Sequence, residues 1–360
     1  IRGVIGVVAV AMLAGCAGVG KAPTSEQKMR YAGSPNFDAA SGTFVNAADP
    51  EQDSVWERRR RTVGKGERGD GEGPAFRLPM VKPDLGVFLR GDSGFRSIWL
   101  GHSSVLMRLG GATILIDPVF GRSSPVPFAG GPRFQPPPIS REEIPDVDVI
   151  VISHDHYDHL EKATVRFYAE RNTRFVVPLG VSWHLRHWGV KDENIVELDW
   201  WDSARVGGVQ FIATPARHSS GRLDRRTNHT LWASWVVRTP SWSVYHSGDT
   251  GYGRHFARIG ERYGPFDMVY LENGQYSPAW RSHMLPEDWP RAMGDLKGKL
   301  WHPIHWGVFS FAPHRWNDPI VAADSLARLH GIPLVAPRPG EIVDTRQTRE
   351  AARWWEAQGS

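Results

Sequence analysis

Cysteine is all but missing from this chain: Cys16 is the only one in 360 residues. One thiol builds neither a disulfide framework nor a thiolate cage for structural zinc, so the fold has to rest on its apolar core. Such a core is available, because 41% of the residues are hydrophobic and a body of about 300 residues buries roughly three quarters of its unfolded surface. The apolar stretch at the amino end is short. It runs from Gly3 to Ala14 and falls below the ~20 residues that a membrane-spanning helix needs. Strong charge of one sign is also lacking: the formal net charge is +4. That is too mild to demand a polyanionic partner, and no nucleic-acid-binding motif accompanies it, so no nucleic-acid partner is expected.

Histidine and aspartate, in contrast, are concentrated. The run Val147 to Ile152 has the character of a buried strand and ends abruptly in Ser153-His-Asp-His-Tyr-Asp-His159. His154, His156, Asp158 and His159 thus offer four metal-binding side chains at one strand end. Imidazole and carboxylate suit zinc and other borderline metals, and a donor set without thiolate favours a catalytic site with open positions over a closed structural one. A chance His-rich loop would explain any one of these residues, but not four ligands within six. His218 follows Val209 to Thr214, Asp249 follows Trp242 to Ser247, and His305 follows Leu300 to Ile304. Ligands at separate strand ends can converge on one edge of a sheet, where loops carry chemistry on a rigid scaffold.

In this order the residues resemble the metallo-β-lactamase superfamily. The resemblance implies one metal held by His154, His156 and His218, a second held by Asp158, His159 and His305, and Asp249 as bridge. The passages Leu100 to Leu106, Asp117 to Phe120, Pro178 to Val181, Glu197 to Trp201, Asn228 to Trp235, Ser247 to Tyr252 and Ile304 to Gly307 narrow the likeness. It is to N-acyl-phosphatidylethanolamine-hydrolysing phospholipase D and its bacterial lipoprotein relatives. The activity implied is hydrolysis of N-acyl-phosphatidylethanolamine or a related lipid by a hydroxide shared between two divalent ions, zinc first among the candidates. The catalytic residues implied are Asp158, Asp249 and His283, the last placed to protonate the leaving alkoxide. A lactone, cyclic phosphate or sugar phosphate would use the same hydroxide, and a non-catalytic envelope lipoprotein is the remaining alternative. Gln275, Ala279 and Ser219 depart from the family pattern near the expected pocket, which leaves the substrate open.

Asp117 and Asp155 are candidates to accept the second N–H of ligating imidazoles. His102 lies near the same edge with a structural role equally open, and His302 fits the last-ligand spacing less well than His305. Trp200, Trp201, Trp280, Trp301, Trp306 and Trp316 fall near the expected metal edge, where indoles line acyl grooves or simply pack.

At the amino end, the apolar stretch closes in Leu13-Ala-Gly-Cys16. Short apolar runs ending in small residues are export signals, and this box resembles a bacterial lipoprotein signal. It implies cleavage before Cys16, lipidation of that residue, attachment to a membrane and, with Ala17 next, an outer-membrane location in the cell envelope. The expected organisation is a signal peptide over 1–15, a lipidated cysteine and flexible tether over 16–44, a hydrolase domain over 45–345 and a tail over 346–360. The arginine run Arg58 to Arg61 is expected as a solvated helix face, with phosphate contact the alternative.

Apolar runs predict strands at 97–107, 112–117, 147–152, 174–178, 209–214, 231–237, 242–247, 267–272 and 300–304. Helices are predicted near 160–171, 181–188, 253–262, 286–296 and 318–329. Two strand clusters with helices between them fit an α/β fold of two packed mixed sheets. The resemblance implies the four-layer αββα sandwich. Pro- and Gly-rich stretches at 121–138 and 217–227 are expected to frame the pocket.

Overall fold

The computed structural model describes residues 20–54, 73–91, 94–124, 131–222, 227–345 and 353–356. The signal segment with Cys16, the arginine run Arg58 to Arg61, and residues 346–352 and 357–360 of the tail lie outside the described residues.

Two sheets dominate. The first holds strands β3 (Phe95–Gly101), β4 (Ser104–Leu109), β5 (Ala112–Ile116), β6 (Val149–Val151), β7 (Arg174–Pro178), β8 (Ile195–Leu198) and β15 (Ile342–Asp344), in the order β15-β3-β4-β5-β6-β7-β8. The second holds β9 (Ser203–Val206), β10 (Val209–Thr214), β11 (Ser234–Arg238), β12 (Ser243–His246), β13 (Met268–Glu272) and β14 (Trp301–Ile304), in the order β14-β13-β12-β11-β10-β9. Each sheet begins as an antiparallel meander and continues as parallel strands: β5 to β8 in the first, β12 to β14 in the second. A small ribbon, β1 (Phe37–Asp38) with β2 (Thr43–Phe44), stands apart.

Side chains alternate across the first sheet, as the strand period of two requires. Trp99, Val105, Met107, Ile114, Ile116, Val149 and Val151 point into a core shared with Phe211, Trp235 and Val237 of the second sheet. Their neighbours Ile98, Leu100, Leu106, Leu115 and Ile150 point the other way. There they meet Val165 and Tyr168 of the helix Lys162–Ala169 and Leu185 of the helix Ser182–His187. The second sheet does the same. On β12, His246 reaches across the sandwich to the Ser103 carbonyl at 3.1 Å, while Tyr245 packs on Phe256 of the helix His255–Tyr263. The helices Trp289–Leu296 and Asp318–His330 complete that outer layer, with Trp289 against Trp301 of β14. The result is the expected helix–sheet–sheet–helix sandwich.

Several expectations need correction. The strand predicted at 97–107 is a hairpin that turns at His102-Ser103, with Gly101 and His102 at positive φ. Strands β8, β9 and β15 were not anticipated, because each has only three or four residues and little buried pattern. Residues 20–44, expected as a flexible tether, are packed on the domain. Tyr31, Phe37 and Phe44 join the inter-sheet core, and the Tyr31 hydroxyl donates to Glu197 at 3.2 Å. A Gly- and Ser-rich composition hid three aromatic anchors. The tail also docks where described: Trp354 stacks on Trp306 and donates to the Ala336 carbonyl at 3.0 Å.

Candidate metal centre

Every expected ligand follows the carboxyl end of a strand at the same edge of the sandwich. The loop after β6 carries His154, His156, Asp158 and His159, while β10, β12 and β14 deliver His218, Asp249 and His305. The structure brings all seven together. His154, His156, His218 and Asp249 form one set whose donor atoms lie within 4.8 Å of one another, and Asp158, His159 and His305 form a second with His102. Asp249 sits between them. Its carboxylate oxygens are 3.1 Å from His159 Nε2 and 3.1 Å from His305 Nδ1, and 3.8 Å from both His154 Nε2 and His218 Nε2.

Outer hydrogen bonds set the ring orientations. Asp117, at the end of β5, is fully buried and accepts from Ser153 N at 2.7 Å, Ser153 Oγ at 2.6 Å and His159 Nδ1 at 2.8 Å. Because the Ser153 hydroxyl donates to Asp117, it must accept from His154 Nδ1, 2.9 Å away. His218 Nδ1 donates to the Ser282 carbonyl at 3.0 Å. In each case the far nitrogen, Nε2, is left for the centre. Asp155 does not serve this purpose for a ligand: its carboxylate takes His184 Nε2 at 3.2 Å and Gly221 N at 2.8 Å. It braces the ligand loop from outside. His102 donates Nε2–H to Asp158 Oδ2 at 2.8 Å, so the strained turn residue of the β3–β4 hairpin orients a candidate ligand.

Burial holds the imidazoles of His154 and His305 well below the usual histidine range, and that of His218 at about 3. They are neutral donors at any ordinary pH. His159 departs upward: burial opposes its charge, but Asp249, Asp158 and Asp117 around it prevail. Burial likewise works against the Asp158 and Asp249 carboxylates, yet His159 beside them keeps both well below the usual range.

The residues fit a metal centre. Imidazole and carboxylate are the donors that zinc, iron and manganese share, and His159 Nε2 and Asp249 Oδ1 are buried with no hydrogen bond among the described residues. A buried polar atom without a hydrogen bond costs about 1–3 kcal/mol, a cost that ligation removes.

A cavity of about 490 Å³ opens on this edge, walled by Ser124, Tyr157, Ser219, Trp280, His283 and Phe311. His283 therefore lies where expected. Its ring stacks on His305 at a centroid distance of 5.3 Å and an angle of 13°. Gln275 also lines the cavity, as expected. Its amide is spent on the Phe309 carbonyl and the Phe311 and Ala312 amides, so it braces the Phe311 wall. Of the six tryptophans singled out, only Trp280 lines the cavity; Trp200, Trp301, Trp306 and Trp316 are buried packing, and Trp201 stacks on Tyr263. His302 is buried between Trp99 and Tyr270, away from the ligand sets.

Two contributors carried no signal of their own in the sequence. Asn46 pairs both backbone groups of His218, accepting from its N–H at 3.0 Å and donating to its carbonyl at 2.8 Å. Glu272, the last residue of β13, lies fully buried beneath His283.

The family model for the β-lactamase superfamily domain matches residues 112–306, and this chain belongs to that superfamily of metal-dependent hydrolases. Over 332 residues it is 40% identical to an uncharacterized protein of Mycobacterium tuberculosis, covering 89% of this chain and 87% of that one. It is 34% identical over 232 residues to the N-acyl-phosphatidylethanolamine-hydrolyzing phospholipase D 1 of Caenorhabditis elegans, covering 61% of this chain and 65% of the relative. The fold is shared with Igni18, a metallo hydrolase of the archaeon Ignicoccus hospitalis. There the TM-score is 0.54 at 22% identity over 70% of this chain and 98% of that one.

Proposed function

We propose that this chain is a dinuclear phosphodiesterase of phospholipase D type, cleaving N-acyl-phosphatidylethanolamine or a related lipid. The likeness to the nematode phospholipase D over 61% of the chain carries this reading, together with two adjoining donor sets that share Asp249. His154, His156 and His218 would hold one ion, Asp158, His159 and His305 the other, and Asp249 both. When bound, the ions, zinc first among the candidates, supply an activated hydroxide and stabilise the charge that builds on the phosphoryl oxygens.

The chain's own residues do the rest. Asp158, fixed by His102, keeps one carboxylate oxygen directed at the centre. His283 stands in the cavity wall, where its Nε2 serves the departing alkoxide. Trp280, Phe311 and Tyr157 give the cavity an apolar side for an acyl chain, and Ser124 and Ser219 give it a polar one for head-group oxygens. Leu13-Ala-Gly-Cys16 would place the enzyme on a membrane of the cell envelope, beside such lipids.

The test is turnover by the metal-loaded protein of N-acylated phospholipids, simple phosphodiesters and lactones, with Asp158→Asn as control. Phosphodiester cleavage that Asp158→Asn abolishes is expected. Turnover of lactones alone refutes the phospholipase assignment, and equal activity in the control refutes the dinuclear centre. For the anchor, Cys16→Ser should release the protein from membranes.

A further inference from the structure

The Glu272 side chain is fully buried, and nothing in the ligand sets uses it. One oxygen, Oε1, accepts from Met284 N at 2.8 Å. The other, Oε2, lies 3.0 Å from His283 Nδ1. Both bonds reach into the segment after β13 that carries the cavity wall, so a single carboxylate ties backbone and ring together. The His283 ring also stacks on His305 and lies near Trp280, with ring centroids 6.1 Å apart. Its only polar edge besides Nδ1 is Nε2, and the ring lines the cavity.

We infer that Glu272 is a positioning residue: it accepts a hydrogen bond from His283 Nδ1–H and thereby directs Nε2 of that ring into the cavity, toward the leaving group. This deepens the phosphodiesterase reading and rests on it for the identity of the leaving group. In the step served, water-derived oxygen bonds to phosphorus, the bond from phosphorus to the ester oxygen breaks with its electron pair on that oxygen, and the oxygen takes the proton from His283 Nε2. The bond from Nδ1–H to Glu272 persists throughout, which keeps the ring from turning away as its charge changes.

Glu272→Gln is the informative variant, because it preserves shape while an amide cannot accept at both oxygens. Either the Met284 N–H or His283 Nδ1 must then face an NH₂ group. Two readouts follow. Nitrogen-15 NMR of the metal-loaded, histidine-labelled protein should show His283 protonated at Nδ1 in the wild type, and the proton lost from Nδ1 or mixed between the nitrogens in Glu272→Gln. An Nδ1–H unchanged both in Glu272→Gln and in Glu272→Leu, which leaves no acceptor, overturns the inference.

Kinetics give the second. Glu272→Gln should lower turnover of alkyl phosphodiesters about 10²-fold and that of p-nitrophenyl phosphodiesters at least tenfold less, since the aryl oxide leaves without a proton. The double variant with His283→Asn should be no slower than His283→Asn alone. Equal losses on both substrates, or additive losses in the double variant, mark Glu272 as merely structural and overturn the inference. If the wild type cleaves no phosphodiester, the proposed function falls, and the NMR result still decides whether Glu272 sets the His283 tautomer.

Discussion

Gly274→Ala should disable the metal centre without touching a ligand. Gly274 follows β13 and faces the backbone of His305, so a β-carbon placed there would lie 1.9 Å from the His305 carbonyl oxygen and 2.7 Å from its carbonyl carbon. Real β-carbons essentially never approach closer than 3.0 Å, which means the two chains must part by about 1 Å. Neither is free to move. Asn273 N donates to the Ile304 carbonyl at 3.1 Å, and His305 N to the His102 carbonyl at 3.0 Å. His305 itself holds a strained φ of 69°. Any shift of its backbone therefore carries off the imidazole whose Nδ1 is 3.1 Å from Asp249 Oδ1. A misplacement of about 1 Å costs about 10²-fold in rate, and the overpacking itself costs about 1–3 kcal/mol. The assay is kcat/KM on a phosphodiester beside metal content by elemental analysis and Tm by calorimetry. Gly33→Ala is the control, since nothing lies within 4 Å of its β-carbon. Wild-type activity and metal content in Gly274→Ala would refute the reasoning.

Asp117→Asn should weaken metal binding about 10–100-fold, because the amide must turn a donor toward Ser153 or His159; competition with a chromophoric chelator measures it, and unchanged affinity would deny Asp117 its orienting role. His302 sets a pH dependence of stability. Burial holds its ring at about 4, so below about pH 6.5 the unfolded chain takes up a proton that the folded one refuses. Stability is therefore full above pH 6.5 and lost as the pH falls, by about 2 kcal/mol at pH 5. Urea midpoints at pH 7 and pH 5 should differ less in His302→Gln than in the wild type, and equal differences would contradict the assignment. Gly294→Ala, at an exposed site of the helix Trp289–Leu296 with nothing within 4 Å, should stabilise by about 0.5–1 kcal/mol, read as a higher urea midpoint.

What the sequence disclosed follows how local each feature is. Ser153 to His159 was legible because four donors share one loop behind one buried strand. His218, Asp249 and His305 were legible for the same reason, each closing its own apolar run. Glu272, Asn46 and the orienting role of His102 were not. Glu272 ends a strand like many carboxylates, and its meaning comes from His283, which returns to it after a loop. Asn46 lies 172 positions from His218, just past the segment whose composition suggests a tether. His102 required knowing that the apolar run 97–107 folds back on itself, a turn marked only by Gly101. The cavity wall was misjudged for a related reason: a tryptophan beside a ligand in sequence points to the opposite face of the strand as readily as to the edge, and Trp301 and Trp306 take the core.

The two sheets explain why the ligands divide as they do. Each half of the chain runs an antiparallel meander into parallel strands, and parallel strands send all their carboxyl ends to one edge. The first half spends that geometry on a single dense loop after β6, which supplies two donors to each set: His154 and His156 to one, Asp158 and His159 to the other. The second half uses three strand ends, β12 and β14 of its parallel run and β10, which runs the same way within the meander, adding one imidazole to each set, His218 and His305, and placing Asp249 between them. Neither half completes a site alone, since without Asp249 the two sets share no donor. Packing of the two sheets is thus the step that forms the centre. The inter-sheet core and the metal edge are one construction, and a perturbation at that edge, as at Gly274 between the ends of β13 and β14, reaches the chemistry before it reaches the fold.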